Sequence, residues 1–153
     1  MRRLAELPAE RAAGLRVIFT DIDGTLTDDR GRIPSSIFAA MEEAVGDGLA
    51  VVPVTGRPAG WCDMIVRTWP VHGVIGENGG LRFRRDGERI LRDFEQGEAE
   101  RSANQLRLLA LGAEVLRRHP GAALASDQCY REFDIAIDFA EDVAALPWTK
   151  STR

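Results

Sequence analysis

Three short apolar runs alternate with two helical segments in the first half of the chain, and this alternation constrains the fold more than any other feature. The runs span residues 15–20, 49–54 and 71–75, and each is bounded by glycine, proline or polar residues. Runs of this length that are rich in β-branched side chains predict strands buried in a sheet. Strands that alternate with helices in units of this size predict an α/β fold with a parallel sheet and right-handed crossovers.

The two intervening helices are predicted from apolar residues at helical spacing. The first begins near Pro34 and ends at Gly46 and Gly48, because glycine favours helix ends. Its apolar positions are Ile37, Ala40, Met41, Ala44 and Val45. The second begins at Pro58, a residue that suits the first helical turn. Its predicted apolar face carries Trp61, Met64, Ile65 and Thr68.

The pattern changes after residue 80. Two runs, 81–85 and 89–92, flank Asp86-Gly87, which is a hairpin signal. Residues 98–118 predict one long helix, and residues 133–139 alternate apolar and acidic side chains, which predicts a strand with one solvated face. The apolar face of the long helix is predicted to carry Leu106, Leu109, Ala113 and Leu116. We therefore expect a core domain over 1–82, a partial α+β domain over 83–145 and an irregular tail over 146–153.

Composition excludes several classes of function. The net charge is −4 and no basic stripe is present, so nucleic acid binding is not expected. No apolar stretch approaches the roughly 18 residues that a membrane span requires, and the first residues do not resemble a signal peptide. Cys62 and Cys129 lack metal-ligand spacing. We expect two reduced, half-buried thiols in a cytoplasmic protein, with one disulfide as the alternative.

The most distinctive residues directly follow the three predicted strands. They are Asp21 to Thr25, Thr55 to Arg57, and Glu77 to Gly80, and ligands of parallel sheets bind at the carboxyl ends of strands. Asp21 and Asp23 repel each other at short range, which a divalent cation or a shared proton relieves. Their hard oxygen atoms suit magnesium, and a carboxylate held near a phosphate can attack phosphorus. A plain polar turn is the alternative. An EF-hand loop is not expected, because it requires glycine at its sixth position, whereas here Gly24 follows Asp21 by three residues.

These stretches resemble motifs of the haloacid dehalogenase superfamily. Residues 21–26, Asp-Ile-Asp-Gly-Thr-Leu, resemble its first motif, and residues 54–58, Val-Thr-Gly-Arg-Pro, resemble its second. Residues 77–80, Glu-Asn-Gly-Gly, are similar to a stretch of the subgroup whose cap domain follows the third strand. That subgroup includes sucrose-phosphate, mannosyl-phosphoglycerate and trehalose-phosphate phosphatases and the Cof-type hydrolases. The resemblance implies a Rossmann-like core with an α+β cap.

The resemblance also implies residue roles. Asp21 is the expected nucleophile, and Asp23 is the expected general acid and base. Mg²⁺ is expected to bind the Asp21 carboxylate and the backbone carbonyl of Asp23. Thr55 is expected to bind a phosphate oxygen, with a helix cap as the alternative; Gly56, Arg57 and Asn78 complete the expected substrate site. Arg57 either reaches the phosphate or only lies on the first helical turn.

The resemblance covers about residues 15–145 and then ends. Two later motifs of the superfamily, a cation and an acidic pair, are not found; Asp138, Glu141, Asp142 and Lys150 are poor matches to them. We expect a truncated chain with an incomplete core sheet, whose open edge favours self-association.

The predicted function is a magnesium-dependent phosphomonoesterase acting on a sugar phosphate or a similar small metabolite. The alternative is a weak or inactive fragment that retains the fold and binds phosphate or metal. A nucleotide-binding domain is disfavoured, because both glycine-rich phosphate motifs are missing.

Overall fold

The computed structural model describes residues 6–147. Its helices are α1 (Ala9–Ala12), α2 (Ser35–Gly46), α3 (Ala59–Thr68) and α4 (Glu98–Arg118). Its strands are β1 (Val17–Asp21), β2 (Ala50–Val54), β3 (Gly73–Gly76), β4 (Leu81–Asp86), β5 (Arg89–Phe94), β6 (Ala123–Leu124) and β7 (Ile137–Asp138). Single 3₁₀ turns span Glu77–Gly79 and Gln128–Tyr130. The predicted tail lies mostly outside the described residues, and Lys150 lies entirely outside them.

One five-stranded sheet, ordered β1-β2-β3-β4-β5, forms the centre of the molecule. β1, β2 and β3 are parallel, whereas β4 and β5 run antiparallel to their neighbours. The predicted α/β fold with a Rossmann-like parallel core is confirmed. The predicted hairpin is present, and it continues the core sheet because β4 pairs with β3. The division into domains at residue 82 stays a prediction.

The hydrophobic core lies between this sheet and the helices α2 and α3. Its buried members include Met41, Val51, Cys62, Ile65, Val66, Val74, Leu81 and Phe83. The predicted face of α3 is only partly right: Ile65 is buried, but Trp61 and Met64 are 40% and 43% exposed. The helix instead turns Cys62 and Val66 toward β3 and β4, because small Gly76 leaves room there for the Cys62 sulfur.

Strand β1 is an exposed edge, although its apolar sequence predicts a buried strand. Val17, Ile18 and Phe19 are 40%, 37% and 65% exposed. β1 pairs with β2 on one side, and no strand within residues 6–147 pairs with its other side. An apolar run shows that a strand is suited to burial, but neighbouring elements decide whether it is covered. Association through this edge stays a prediction.

The second half of the described chain departs further from the predictions. Helix α4 has the predicted length, but Leu106 and Leu109 of its predicted apolar face are 71% and 41% exposed. Gly112 is buried instead, and an added Cβ there would lie 2.9 Å from the Ile135 side chain. The predicted strand over 133–139 shrinks to β7, which pairs with β6. The residues before β7 leave the extended conformation because their amides bind a carboxylate of the core, described below.

No helix within residues 6–147 combines the length and the apolar character needed to cross a membrane.

The two cysteines differ sharply in environment. Both are free thiols, and Cys62 is buried, whereas Cys129 is exposed rather than half-buried as predicted. Burial, with a smaller contribution from the Glu77 carboxylate, raises the pKa of the Cys62 thiol to about 12. Since the thiolate is the reactive form, Cys62 is expected to be inert in the folded protein.

We expect one thiol of the native protein to react with a thiol reagent at about pH 8, and two after denaturation. Replacing Cys129 with serine is the control and should remove the fast reaction. Two thiols that react equally fast in the native protein would contradict the buried position of Cys62.

The same burial predicts a pH dependence of folding stability. Because unfolded chains ionise this thiol near the ordinary pKa of 9.0, the free energy of unfolding should fall as pH rises above that value.

Candidate functional site

The parallel register brings the predicted site residues to one edge of the sheet. Asp21, the last residue of β1, is paired with Val54, and Val54 is paired with Ile75. The three strands therefore end side by side, and the segments that follow them meet at their carboxyl ends. This is the edge at which the sequence predicts a ligand site.

Asp21 and Asp23 both have exposed side chains in the turn that leaves β1. Between them Ile22 is buried at 3% exposure, and its carbonyl accepts hydrogen bonds from the amides of Thr25, Leu26 and Thr27. This anchor directs the neighbouring aspartates toward solvent. The Asp21 carboxylate makes no hydrogen bond to any residue that the structure describes, so both of its oxygen atoms are available to a ligand.

Arg57 binds Asp23 through both of its carboxylate oxygens. The Nε and Nη2 atoms of Arg57 donate to Asp23 over 3.0 and 2.9 Å, and this hydrogen-bonded carboxylate is the main cause that raises the pKa of Arg57. The guanidinium also lies 4.9 Å from the Trp61 ring centroid and 3.5 Å from the Glu141 carboxylate. Arg57 precedes the N-cap Pro58 and so does not lie on the first turn of α3, whereas its contact with phosphate stays a prediction.

Thr55 is held rigidly between β2 and α3. It is 3% exposed, and its hydroxyl accepts a hydrogen bond from the Arg57 amide over 3.0 Å. Its own amide donates to the Ile75 carbonyl over 2.9 Å. The alternative role as helix cap is wrong, because Pro58 occupies the N-cap position of α3. The phosphate contact stays a prediction.

Asn78 and Gly56 lie against each other across the site. An added Cβ at Gly56 would lie 3.1 Å from the Asn78 side-chain oxygen, so glycine permits this close approach. The side-chain Nδ2 of Asn78 donates a hydrogen bond to the Asp134 carboxylate over 2.8 Å. The structure thus groups all six predicted residues, Asp21, Asp23, Thr55, Gly56, Arg57 and Asn78, at the ends of β1, β2 and β3.

A cavity of about 520 Å³ opens beside Asp23 and Arg57. Three residues from the second half of the chain also line it, although the sequence does not predict them as site residues: Arg131, Asp138 and Glu141. The cavity is thus walled by both halves of the described chain.

Asp138 shows why the sequence does not predict the acidic residues of this cavity wall. It was expected to be solvated, but it is 7% exposed. Its carboxylate accepts hydrogen bonds from the amides of Ala140, Glu141 and Asp142, and the Glu141 amide lowers the pKa of Asp138 most. Aspartate favours such turns, because its side chain accepts hydrogen bonds from backbone amides that follow it. The turn holds Glu141 near Arg57.

The donor atoms at the end of β1 fit a magnesium ion. Mg²⁺ prefers oxygen ligands and often binds through one or two carboxylates while keeping several water molecules. The Asp21 carboxylate is one such ligand and the Asp23 backbone carbonyl is the second expected one, since Arg57 occupies both Asp23 side-chain oxygens. Within residues 6–147 no cluster of three or more acidic, histidine or cysteine side chains is arranged to hold a metal. The residues present would therefore supply only part of a magnesium shell, and the metal stays a prediction.

Comparisons with known proteins show what the chain is similar to. The family model of haloacid dehalogenase-like hydrolases matches residues 18–108. Phosphoglycolate phosphatases from Methanoculleus marisnigri and Methanothermobacter thermautotrophicus are 35% and 34% identical, and the matches cover 51% and 55% of this chain but only 33% and 38% of theirs. A solved structure from Thermoplasma acidophilum is 24% identical with a TM-score of 0.65, covering 81% of this chain and 51% of that one, which shows a shared fold. The chain spans about a third of the length of the two curated relatives.

Proposed function

Because this chain belongs to the haloacid dehalogenase-like hydrolases, we propose that it hydrolyses the phosphate ester of a small metabolite through an aspartyl phosphate on Asp21. One observation carries the proposal. The exposed carboxylate of Asp21 lies on the same sheet edge as the Asp23–Arg57 pair and the Thr55 turn. A nucleophile, a proton carrier and groups suited to an anion are therefore adjacent.

The proposed reaction has two steps. Before the first step Asp23, once released by Arg57, takes up a proton from solvent. In the first step an Asp21 carboxylate oxygen attacks phosphorus, the ester P–O bond breaks, and Asp23 gives that proton to the leaving alcohol. In the second, Asp23 takes a proton from water, the water oxygen attacks phosphorus, and the bond to Asp21 breaks. Inorganic phosphate leaves, and both aspartates return to their starting state.

Arg57 has to release Asp23 before Asp23 can move a proton. Its guanidinium now occupies both Asp23 oxygens, and a phosphate group offers the same planar fork an equivalent partner. We expect Arg57 to turn toward the bound phosphate, which frees Asp23 at the moment its proton is needed. Bound Mg²⁺ would neutralise charge on the phosphate oxygens, and the Asp21 carboxylate with the Asp23 carbonyl would hold it.

The substrate is proposed to be small. The cavity beside Asp23 measures about 520 Å³, and two relatives bear the name phosphoglycolate phosphatase. Phosphoglycolate is therefore the first candidate beside the sugar phosphates that the sequence motifs indicate. Arg131 and Glu141 line the cavity and are the side chains best placed to contact the part of the substrate that leaves.

The test is phosphate release by the purified chain from phosphoglycolate and a panel of sugar phosphates, with and without Mg²⁺. We expect release that requires Mg²⁺ and stops when EDTA is added in excess. A folded chain that releases no phosphate from any ester, but binds phosphate in a titration, would support the alternative of an inactive fragment. Release that is equally fast in EDTA would contradict the proposed role of the metal.

A further inference from the structure

Glu77 is a buried carboxylate that the proposed chemistry does not use. It is 1% exposed, and four backbone amides donate to its two oxygens. Oε1 accepts from Ala59 over 2.8 Å and from Glu132 over 2.9 Å. Oε2 accepts from Phe133 over 2.6 Å and from Asp134 over 2.8 Å. Because no side-chain cation that the structure describes pairs with Glu77, these amides alone compensate for the loss of its hydration.

These four amides belong to two distant parts of the chain. Ala59 begins helix α3, directly after the Thr55 turn, whereas residues 132–134 come from the second half and lie 55 to 57 positions from Glu77. One side chain therefore joins the start of a core helix to a segment that would otherwise be a free loop. Amide hydrogen bonds to a charged acceptor are among the stronger ones in proteins.

The backbone around Glu77 is adapted to this contact. Glu77 and Asn78 have φ values of 47° and 57°, a left-handed region that residues other than glycine seldom adopt. Gly80 also permits close packing here, since an added Cβ at this position would lie 2.1 Å from the Phe133 ring. Glycine at position 80 thus allows the 132–134 segment to pack directly on the core.

The segment carries polar contacts from Glu77 into the site. Asp134 accepts hydrogen bonds from Asn78 over 2.8 Å and from Arg131 over 2.7 Å. Arg131 in turn donates to the carbonyl of Gly56 over 3.0 Å, between Thr55 and Arg57. A continuous set of hydrogen bonds therefore connects the buried carboxylate to the turn proposed to bind phosphate.

We propose that Glu77 is a positioning residue that holds the 131–134 segment against the Thr55–Arg57 turn and so keeps that turn in its phosphate-binding shape. Glu77 does not line the cavity and acts only through Asp134, Arg131 and the start of α3. The link to phosphate rests on the proposed function, whereas the attachment of the segment does not. The two parts are therefore tested separately.

The first measurement is hydrogen exchange at the amides of residues 59 and 132–134 in Glu77→Gln. Glutamine keeps the size of the side chain but offers one acceptor oxygen, and its NH₂ group faces amides that also donate. We expect these amides to exchange about 10- to 100-fold faster than in the unaltered protein. Glu88→Gln, which neutralises an exposed carboxylate in the β4–β5 turn, is the matched control and should change nothing. Unchanged exchange in a folded Glu77→Gln protein would overturn the attachment.

The second measurement is the affinity for inorganic phosphate and, where hydrolysis occurs, the separate changes in KM and kcat. We expect about tenfold weaker phosphate binding in Glu77→Gln, with KM rising more than kcat falls. Asp134→Asn serves if Glu77→Gln does not fold: it should weaken phosphate binding similarly while the Phe133 amide stays protected. If the amides are released but phosphate affinity is unchanged in both variants, the positioning role is wrong. If the unaltered chain binds no phosphate, the proposed function fails, and the exchange result still decides the attachment.

Discussion

Asp21→Asn is expected to reduce phosphate release by about a thousandfold or more, because an amide cannot form the proposed aspartyl phosphate. The substitution changes one oxygen to nitrogen in an exposed side chain, and Asp21 makes no hydrogen bond to the described residues, so the fold should be unaffected. Circular dichroism and the melting temperature should match those of the unaltered protein. The measurement is the rate of phosphate release with Mg²⁺ at saturating ester.

Asp29→Asn is the matched control for this prediction. It makes the same chemical change in an exposed aspartate of the same loop region, so any general effect of lost charge appears in both variants. Rapid acid quenching should trap a phosphoryl group on the peptide that contains Asp21, and this adduct should be missing from Asp21→Asn. Undiminished release by Asp21→Asn would rule out Asp21 as the nucleophile, whatever the rest of the site does.

Gly76→Ala is expected to destabilise the protein by about 1–3 kcal/mol through overpacking of the core. Gly76 ends β3 with φ near −119°, a backbone conformation that any residue adopts, so the cost is steric. An added Cβ would lie 2.3 Å from the Cys62 sulfur and 3.4 Å from the Arg57 carbonyl. Because Cys62 lies on α3 behind the proposed site, relief of this clash would displace the helix that follows the Thr55 turn.

The double variant Gly76→Ala with Cys62→Ala tests this cause directly. Cys62→Ala alone should cost about 1 kcal/mol for the lost sulfur contacts. Together the two changes should cost less than their sum by about 1 kcal/mol or more, since the new methyl group takes the space of the sulfur. Urea denaturation of all four proteins measures the coupling. Gly46→Ala, where no atom lies within 4 Å of an added Cβ, should show no such penalty, and additive effects would refute the clash.

The residues grouped at the candidate site could be predicted from the sequence because of a property of parallel sheets. When strands alternate with helices, every strand of the parallel part ends on the same edge, so the residues that follow the strands meet there. Asp21, Asp23, Thr55, Arg57 and Asn78 could thus be grouped without knowing any distance. The motif resemblance then supplied the chemistry of the group, and the match over residues 18–108 confirms the family.

The sequence did not predict in the same way which side of a helix or strand is covered by a neighbouring element. Periodicity locates a helix, but it did not identify the buried side of α3, where Cys62 and Val66 pack in place of Trp61 and Met64. The apolar sequence of β1 predicts burial, yet Phe19 is 65% exposed, and β1 is the edge strand of the sheet within the described chain. Burial is a relation between two elements, and one sequence segment contains only one of them.

The sequence by itself therefore determined the order of the elements, the family and the residues at the ends of β1, β2 and β3. Only the tertiary structure decided that Arg57 binds Asp23 and that Glu77 collects amides from residues 132–134. The first set depends on local propensity and chain order, which short stretches of sequence encode. The second depends on hydrogen bonds between residues 34 and 55 or more positions apart, whose partners are chosen only when the chain packs.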